Sequence, residues 1–126
     1  MHSEYSERVS MVRDKFRTLD MDLIASCFTD DVIVKYNQLD VIYGKEDLLS
    51  FLSPRYQVLS DYQLDKKILL WQGDTVCLEV IASYINRVNS KAYRSKIFEI
   101  LTFNGDLISR WDYVGNTEEI AKCFFN

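Results

Sequence analysis

From residue 57 to residue 114 the chain follows the two-residue alternation of β-strands, and Gly73 and Gly105 are its only glycines there. The turn signals cut this tract into long strands at 62–71, 75–86, 92–103 and 107–114. Gln72-Gly73-Asp74 marks the first turn, a polar tip at 87–91 the second, and Asn104-Gly105 the third. The last is the strongest hairpin signal in the chain, because Asn and Gly accept the positive φ that two-residue loops demand. A meander of this length must bury at least one face, and the residues ahead of it supply the cover.

Val9, Val12, Phe16 and Leu19 recur at helical spacing, which predicts an amphipathic helix over 5–19. Asp20 is placed to cap a short second helix over 21–28, and the β-branched run 32–36 predicts the first strand. Gly44 opens a third helix over 46–52, which Pro54 should end. Asn116-Thr117-Glu118-Glu119 has the form of a capping box and predicts a short C-terminal helix through Phe124. Helices first and an antiparallel meander after them make an α+β layout of one domain over 1–126, with the sheet curved around the N-terminal helices.

Composition removes several classes of function. The net charge of −4 and the scattered Lys and Arg argue against a nucleic-acid surface or a basic membrane-lying helix. No apolar run approaches membrane-spanning length, and the first 17 residues are too charged for a signal-peptide core. Cys27, Cys77 and Cys123 are widely spaced among apolar residues, as expected for reduced thiols of a cytoplasmic protein. Neither a metal nor an organic cofactor is implied, since the only histidine is the terminal His2 and Gly44, Gly73 and Gly105 form no phosphate-cradling loop. Eight Tyr, seven Phe and two Trp suit a ligand cavity or a large dimer surface.

If Asn104-Gly105 is the two-residue loop, Phe103 pairs with Asp106, Leu101 with Ile108, Glu99 with Arg110 and Ile97 with Asp112. Opposed residues share a face, so Glu99, Arg110 and Asp112 should cluster with Ile97, Leu101, Phe103, Ile108 and Val114. The other face would carry Phe98, Ile100, Leu107, Trp111 and Tyr113. Alternation is silent on which face is the inner one. By the same alternation Tyr84 shares a face with Leu78, Val80 and Ala82, and Tyr36 with Val32 and Val34.

The motifs Asp20-Met21-Asp22, Phe28-Thr29-Asp30-Asp31, Gly44, and Phe103-Asn104-Gly105-Asp106-Leu107-Ile108 leading to Trp111-Asp112-Tyr113 resemble those of the SnoaL-like and ketosteroid-isomerase-like families. The resemblance spans nearly the whole chain. It implies a cone, that is a bent sheet around helices with a pocket at the open end, and a homodimer through the outer sheet face. It also places Glu99 where ketosteroid isomerases carry a pocket acid, which makes the Glu99 face the inner one. Limonene-epoxide-hydrolase-type enzymes of related fold use an Asp-Arg-Asp set, to which Glu99, Arg110 and Asp112 are similar in residue type.

The same comparison removes the steroid-isomerase mechanism. Tyr36 stands where those enzymes carry the catalytic Asp, and Val12 or Phe16 where they carry a helix tyrosine. The expectation is a small-molecule pocket protein, in its enzyme form catalysing cyclisation, isomerisation or hydrolysis of an apolar, oxygen-bearing ligand. Asp112 or Glu99 would be the general acid/base and Arg110 its orienting partner. Tyr36, Tyr84, Phe16, Val12, Leu101, Phe103 and Val114 would line the ligand. Two other readings stay open: binding without turnover, and an interaction domain whose cone is filled with side chains. A cross-strand Glu–Arg pair can equally be a plain strand bridge.

Overall fold

The computed structural model describes residues 2–120. In chain order the elements are α1 (His2–Arg17), α2 (Met21–Ala25), β1 (Phe28–Tyr36), β2 (Ile42–Tyr43), α3 (Lys45–Gln57), β3 (Leu59–Gln72), β4 (Thr75–Asn86), β5 (Ala92–Asn104) and β6 (Leu107–Glu119). The α+β, cone-like arrangement expected from the sequence is present: helices lead, and a six-stranded sheet follows in the order β2-β1-β6-β5-β4-β3. The sheet is mixed, because β1 pairs parallel with β6 while every other pair is antiparallel.

The helices form for the reasons their sequences suggest. Val9, Val12 and Phe16 turn one stripe of α1 into the core. Arg17 anchors the helix end on β3, donating to the Leu64 carbonyl at 2.8 Å and the Asp65 carboxylate at 2.8 Å. Asp20 caps α2 by accepting from the backbone N–H groups of Asp22 (2.9 Å) and Leu23 (3.3 Å). Pro54 does not end α3, which continues to Gln57. Pro54 is exposed, so water can satisfy the carbonyl one turn back, while Leu52 and Tyr56 on the inner side pack into the core and hold the last turn.

Two expectations about the end of the chain are overturned. Asn116 to Glu119 extends β6 and does not begin a helix, pairing along β5 from Asn116↔Lys96 to Glu119↔Tyr93. The start of β5 would otherwise be an open edge, and the Ser95 and Thr117 hydroxyls close across it at 2.7 Å. A local capping pattern is worth less than a completed ladder. The remainder of the expected helix, through Phe124, lies outside the described residues.

The hairpin register also differs. Asn104 pairs with Leu107, so the loop residues are Gly105 and Asp106, with Gly105 first at φ 64°. That change moves partners by two and would leave every side chain on its expected face. Ser109 then sits as an extra residue between the pairs Phe103↔Ile108 and Thr102↔Arg110. This bulge moves the partners by one more and turns the rest of β6 over. Glu99 faces Tyr113, Leu101 faces Trp111, and Arg110 and Asp112 fall opposite Thr102 and Ile100.

Candidate functional site

Glu99 is buried on the inner face, with 2 % of its surface exposed. Its Oε2 accepts the indole N–H of Trp111 at 2.9 Å, and its Oε1 takes the Lys66 ammonium in a short ion pair. Lys66 comes from β3, where Tyr62, Leu64, Lys66 and Ile68 alternate inward, and only 5 % of its side chain is exposed. Phe16 of α1 closes the nest, with the Lys66 ammonium 5.6 Å from its ring centre and Trp111 edge-on at 6.0 Å. Two donors on two carboxylate oxygens meet the condition under which a buried charge is tolerated.

Above this nest lies a cavity of about 380 Å³ whose lining includes Tyr36, Tyr56, Tyr62, Tyr84 and Tyr113. Ala82 and Ile97 form apolar wall, Asn37, Asn86, Ser95 and Thr117 add polar atoms, and Arg55 is the one charged lining residue among those described. Burial raises the proton affinity of all five phenols. The negative field of Glu99 adds to that effect at Tyr36, Tyr56, Tyr62 and Tyr113. These tyrosines are therefore neutral donors and acceptors at ordinary pH, not bases.

Tyr36 and Tyr113 stack with ring centres 3.8 Å apart and planes within 10°. They are neighbours because β1 runs parallel to β6 in the register Tyr36↔Tyr113. Asn37 locks that register: its N–H donates to the Tyr113 carbonyl at 2.7 Å, and its side-chain oxygen accepts from Gly115 N–H at 2.8 Å. Asn37 does so at φ 53°, a conformation that Asn tolerates better than most residues. Gly115 makes room for the pair, since a Cβ there would stand 2.8 Å from Ile97 Cγ1 and 2.9 Å from Tyr113 Cε1. Arg55 lies over Phe51 at 4.0 Å and at 6.0 Å from the centre of Tyr36.

The expected trio does not come together. Glu99 is inside, whereas Arg110 and Asp112 are on the outer face and form their own pair at 3.0 Å, with half of the Arg110 side chain exposed. The bulge at Ser109 is the cause. Asp112 and Arg110 accordingly cannot act on a ligand in the cavity, and Val114 is 67 % exposed on the same outer face. Tyr36 and Tyr84 do line the cavity. Val12, Phe16, Leu101 and Phe103 face inward as expected, but as buried core beneath the cavity and not as its lining.

Sequence reasoning missed Lys66, Trp111, Tyr113 and the helix residues Arg55 and Tyr56. A signal existed for the first two. Lys66 occupies an inward position between Leu64 and Ile68, and Ile108 and Trp111 are apolar residues three apart, the mark of an inserted residue in a strand. Among the described residues no group of three or more His, Cys, Asp or Glu could hold a metal ion, and no helix is long and apolar enough to cross a membrane.

Leading helices against an unclosed, six-stranded mixed sheet define the SnoaL-like, nuclear-transport-factor-two-like class of fold, and solved structures match it. The epoxide hydrolase/cyclase-like enzyme SalBIII, of pyran ring formation in the polyether salinomycin, superposes at a TM-score of 0.75, with 16% identity over 92% of this chain and 98% of its own. An epoxide hydrolase from M. tuberculosis, like the limonene-epoxide-hydrolase type, gives 0.72, with 13% identity over 87% and 80%. A protein from Jannaschia sp. CCS1, provisionally classed as a SnoaL-like polyketide cyclase, gives 0.76, with 12% identity over 90% and 86%. At such identities the likeness is one of fold. By sequence, the chain belongs to the family described as protein of unknown function (DUF1348), whose model matches residues 2–122. No curated protein matches it.

Proposed function

We propose that the chain is a small-molecule pocket protein that binds a largely apolar, oxygen-bearing ligand between its tyrosines. The observation that carries this reading is the convergence of five protonated phenols on one cavity of about 380 Å³, a volume suited to a small organic ligand. Neutral phenols in a partly dry site donate to a carbonyl, epoxide or hydroxyl oxygen and hold charge that develops on it. Cyclisation, isomerisation and epoxide opening, the activities of proteins that share the fold, all need that service.

In this reading Glu99 acts through the tyrosines, holding their protons by its field, and the acid/base trio with Arg110 and Asp112 is given up. Binding without turnover is a second reading, favoured because both Glu99 oxygens are already engaged and the residue is not part of the cavity lining. The open cavity speaks against the filled cone. A homodimer through the outer sheet face, in the cytoplasm, belongs to the same proposal. It is supported by Phe98, Ile100, Leu107 and Val114 exposed on that face and by Cys27 and Cys77 as free thiols.

The test is ligand affinity and turnover of Tyr36→Phe and Tyr113→Phe against a screen of small carbonyl and epoxide compounds. Loss of one neutral hydrogen bond should weaken binding by about 3- to 10-fold. Turnover that falls further than affinity supports catalysis, and an equal fall supports binding alone. If neither substitution alters affinity for any compound that binds, the tyrosine cavity is not the site.

A further inference from the structure

We infer that the ligand is an organic carboxylate, held with its acid group at Arg55 at the cavity mouth and its apolar body pointing down between the tyrosines. The inference rests on the pocket reading above and adds the charge and orientation of the ligand. Arg55 lies in the last turn of α3 and is an exposed residue. Four of the seven arginines pair with carboxylates, Arg8 with Asp106, Arg13 with Asp14, Arg17 with Asp65 and Arg110 with Asp112, and of the other three, Arg55, Arg87 and Arg94, Arg55 alone lines the tyrosine cavity. Among the described residues Arg55 has no ion pair and no side-chain hydrogen bond. Its guanidinium is held over the rings of Phe51 and Tyr36 instead.

That arrangement leaves the planar fork of donors unused and orders it before any ligand arrives. Its charge is felt inside, since Arg55 acts on the Tyr36 phenol against the effect of burial. Among the described residues no carboxylate lines the cavity beside Arg55.

The opposite end of the cavity fixes the direction. Glu99 lies beneath the tyrosine floor and its field reaches Tyr36, Tyr56, Tyr62 and Tyr113. An anionic group pushed to the floor would meet that field, whereas at the mouth it meets the guanidinium. A bidentate Arg–carboxylate contact at the rim and an uncharged body between Ala82, Ile97 and the phenols satisfy both ends. Tyr hydroxyls then face a neutral oxygen deeper in the ligand. A second concavity, which also includes Tyr36, Asn37 and Arg55, adjoins the mouth and leaves the guanidinium accessible from outside.

The experiment uses matched probes that differ only in charge: naphthylacetate with naphthylacetamide, and phenylpropionate with phenylpropionamide. Affinities are measured by ligand-observed nuclear magnetic resonance on the full chain and on Arg55→Gln and Arg55→Lys. The acids should bind the unaltered protein about 10-fold more tightly than their amides, the scale of one charge-assisted hydrogen-bonded contact. Arg55→Gln should erase that preference without changing amide affinity, Arg55→Lys should restore part of it, and added salt should shrink it. If amides bind as well as acids, or if the preference survives Arg55→Gln, the inference is overturned while the pocket stands. If neither member of either pair binds and Tyr113→Phe changes no spectrum, the pocket reading falls and the inference with it.

Discussion

Lys66 and the Trp111 indole together occupy both oxygens of Glu99, and each of the three side chains is almost fully removed from water. Removing one partner leaves a buried charge uncompensated, whereas removing both charges leaves only a packing change. Lys66→Met should therefore lose on the order of 3–5 kcal/mol in urea unfolding, and Lys66→Met with Glu99→Met markedly less than the two single changes added together. Cys27 makes a second residue-scale prediction. Burial pushes its thiol from 9.0 to about 11, so the folded state holds this proton more tightly than the unfolded chain does. The stabilisation is complete below pH 9 and is lost as pH rises from 9 towards 11. The buried phenols act with the same sign at still higher pH. Unfolding measured between pH 8 and pH 11 should show this decline, with a shallower first part in Cys27→Ala.

The element that decides the interior is the β5–β6 hairpin. Ile108 and Trp111 are both buried although three residues apart, and Ser109, whose hydroxyl donates to the Thr102 carbonyl at 3.2 Å, is the inserted residue between them. Deleting Ser109 would make Phe103↔Ile108 and Thr102↔Arg110 consecutive pairs, removing the bulge while Trp111 and Tyr113 stay inside and Arg110 and Asp112 outside. The expected outcome is that the aromatic near-ultraviolet circular dichroism and cooperative unfolding are retained, and Ser109→Ala should likewise cost below about 1 kcal/mol. Loss of the aromatic signal on deletion would show that Ser109 is not the inserted residue. Most of the helix and strand placement was legible beforehand, because α1, β4 and β5 each bury one clean periodic face. The bulge and the long end of β6 were not. Loop chemistry constrains the two residues of a turn, but an insertion two residues further on is selected by what the opposite strand and the core accept.

At the scale of the whole molecule, the sheet has one face covered by helices and one with exposed apolar residues, among them Phe98 at 44%, Ile100 at 41% and Val114 at 67%. The proposed homodimer would cover them. Ile100→Glu should then yield a monomer in sedimentation equilibrium while leaving the Tyr36–Tyr113 side of the sheet and its ligand affinity intact. A protein that is monomeric before the substitution would instead leave that face without a second copy of the chain.

The amino-acid sequence by itself determined the class of fold, the order of the main helices and strands up to the start of β6, and which residues of β4 and of β1 share a face, because periodicity is a local property of the chain. Tyr36 and Tyr84, grouped by alternation with their strand neighbours, line the cavity. Only the tertiary structure decided that Glu99 is paired with Lys66 and Trp111 while Arg110 and Asp112 stand outside. Those partnerships join strands whose relative register depends on one extra residue at Ser109 and on the parallel docking of β1 against β6. Both are settled by the energy of burying whole faces, to which no short stretch of sequence has access.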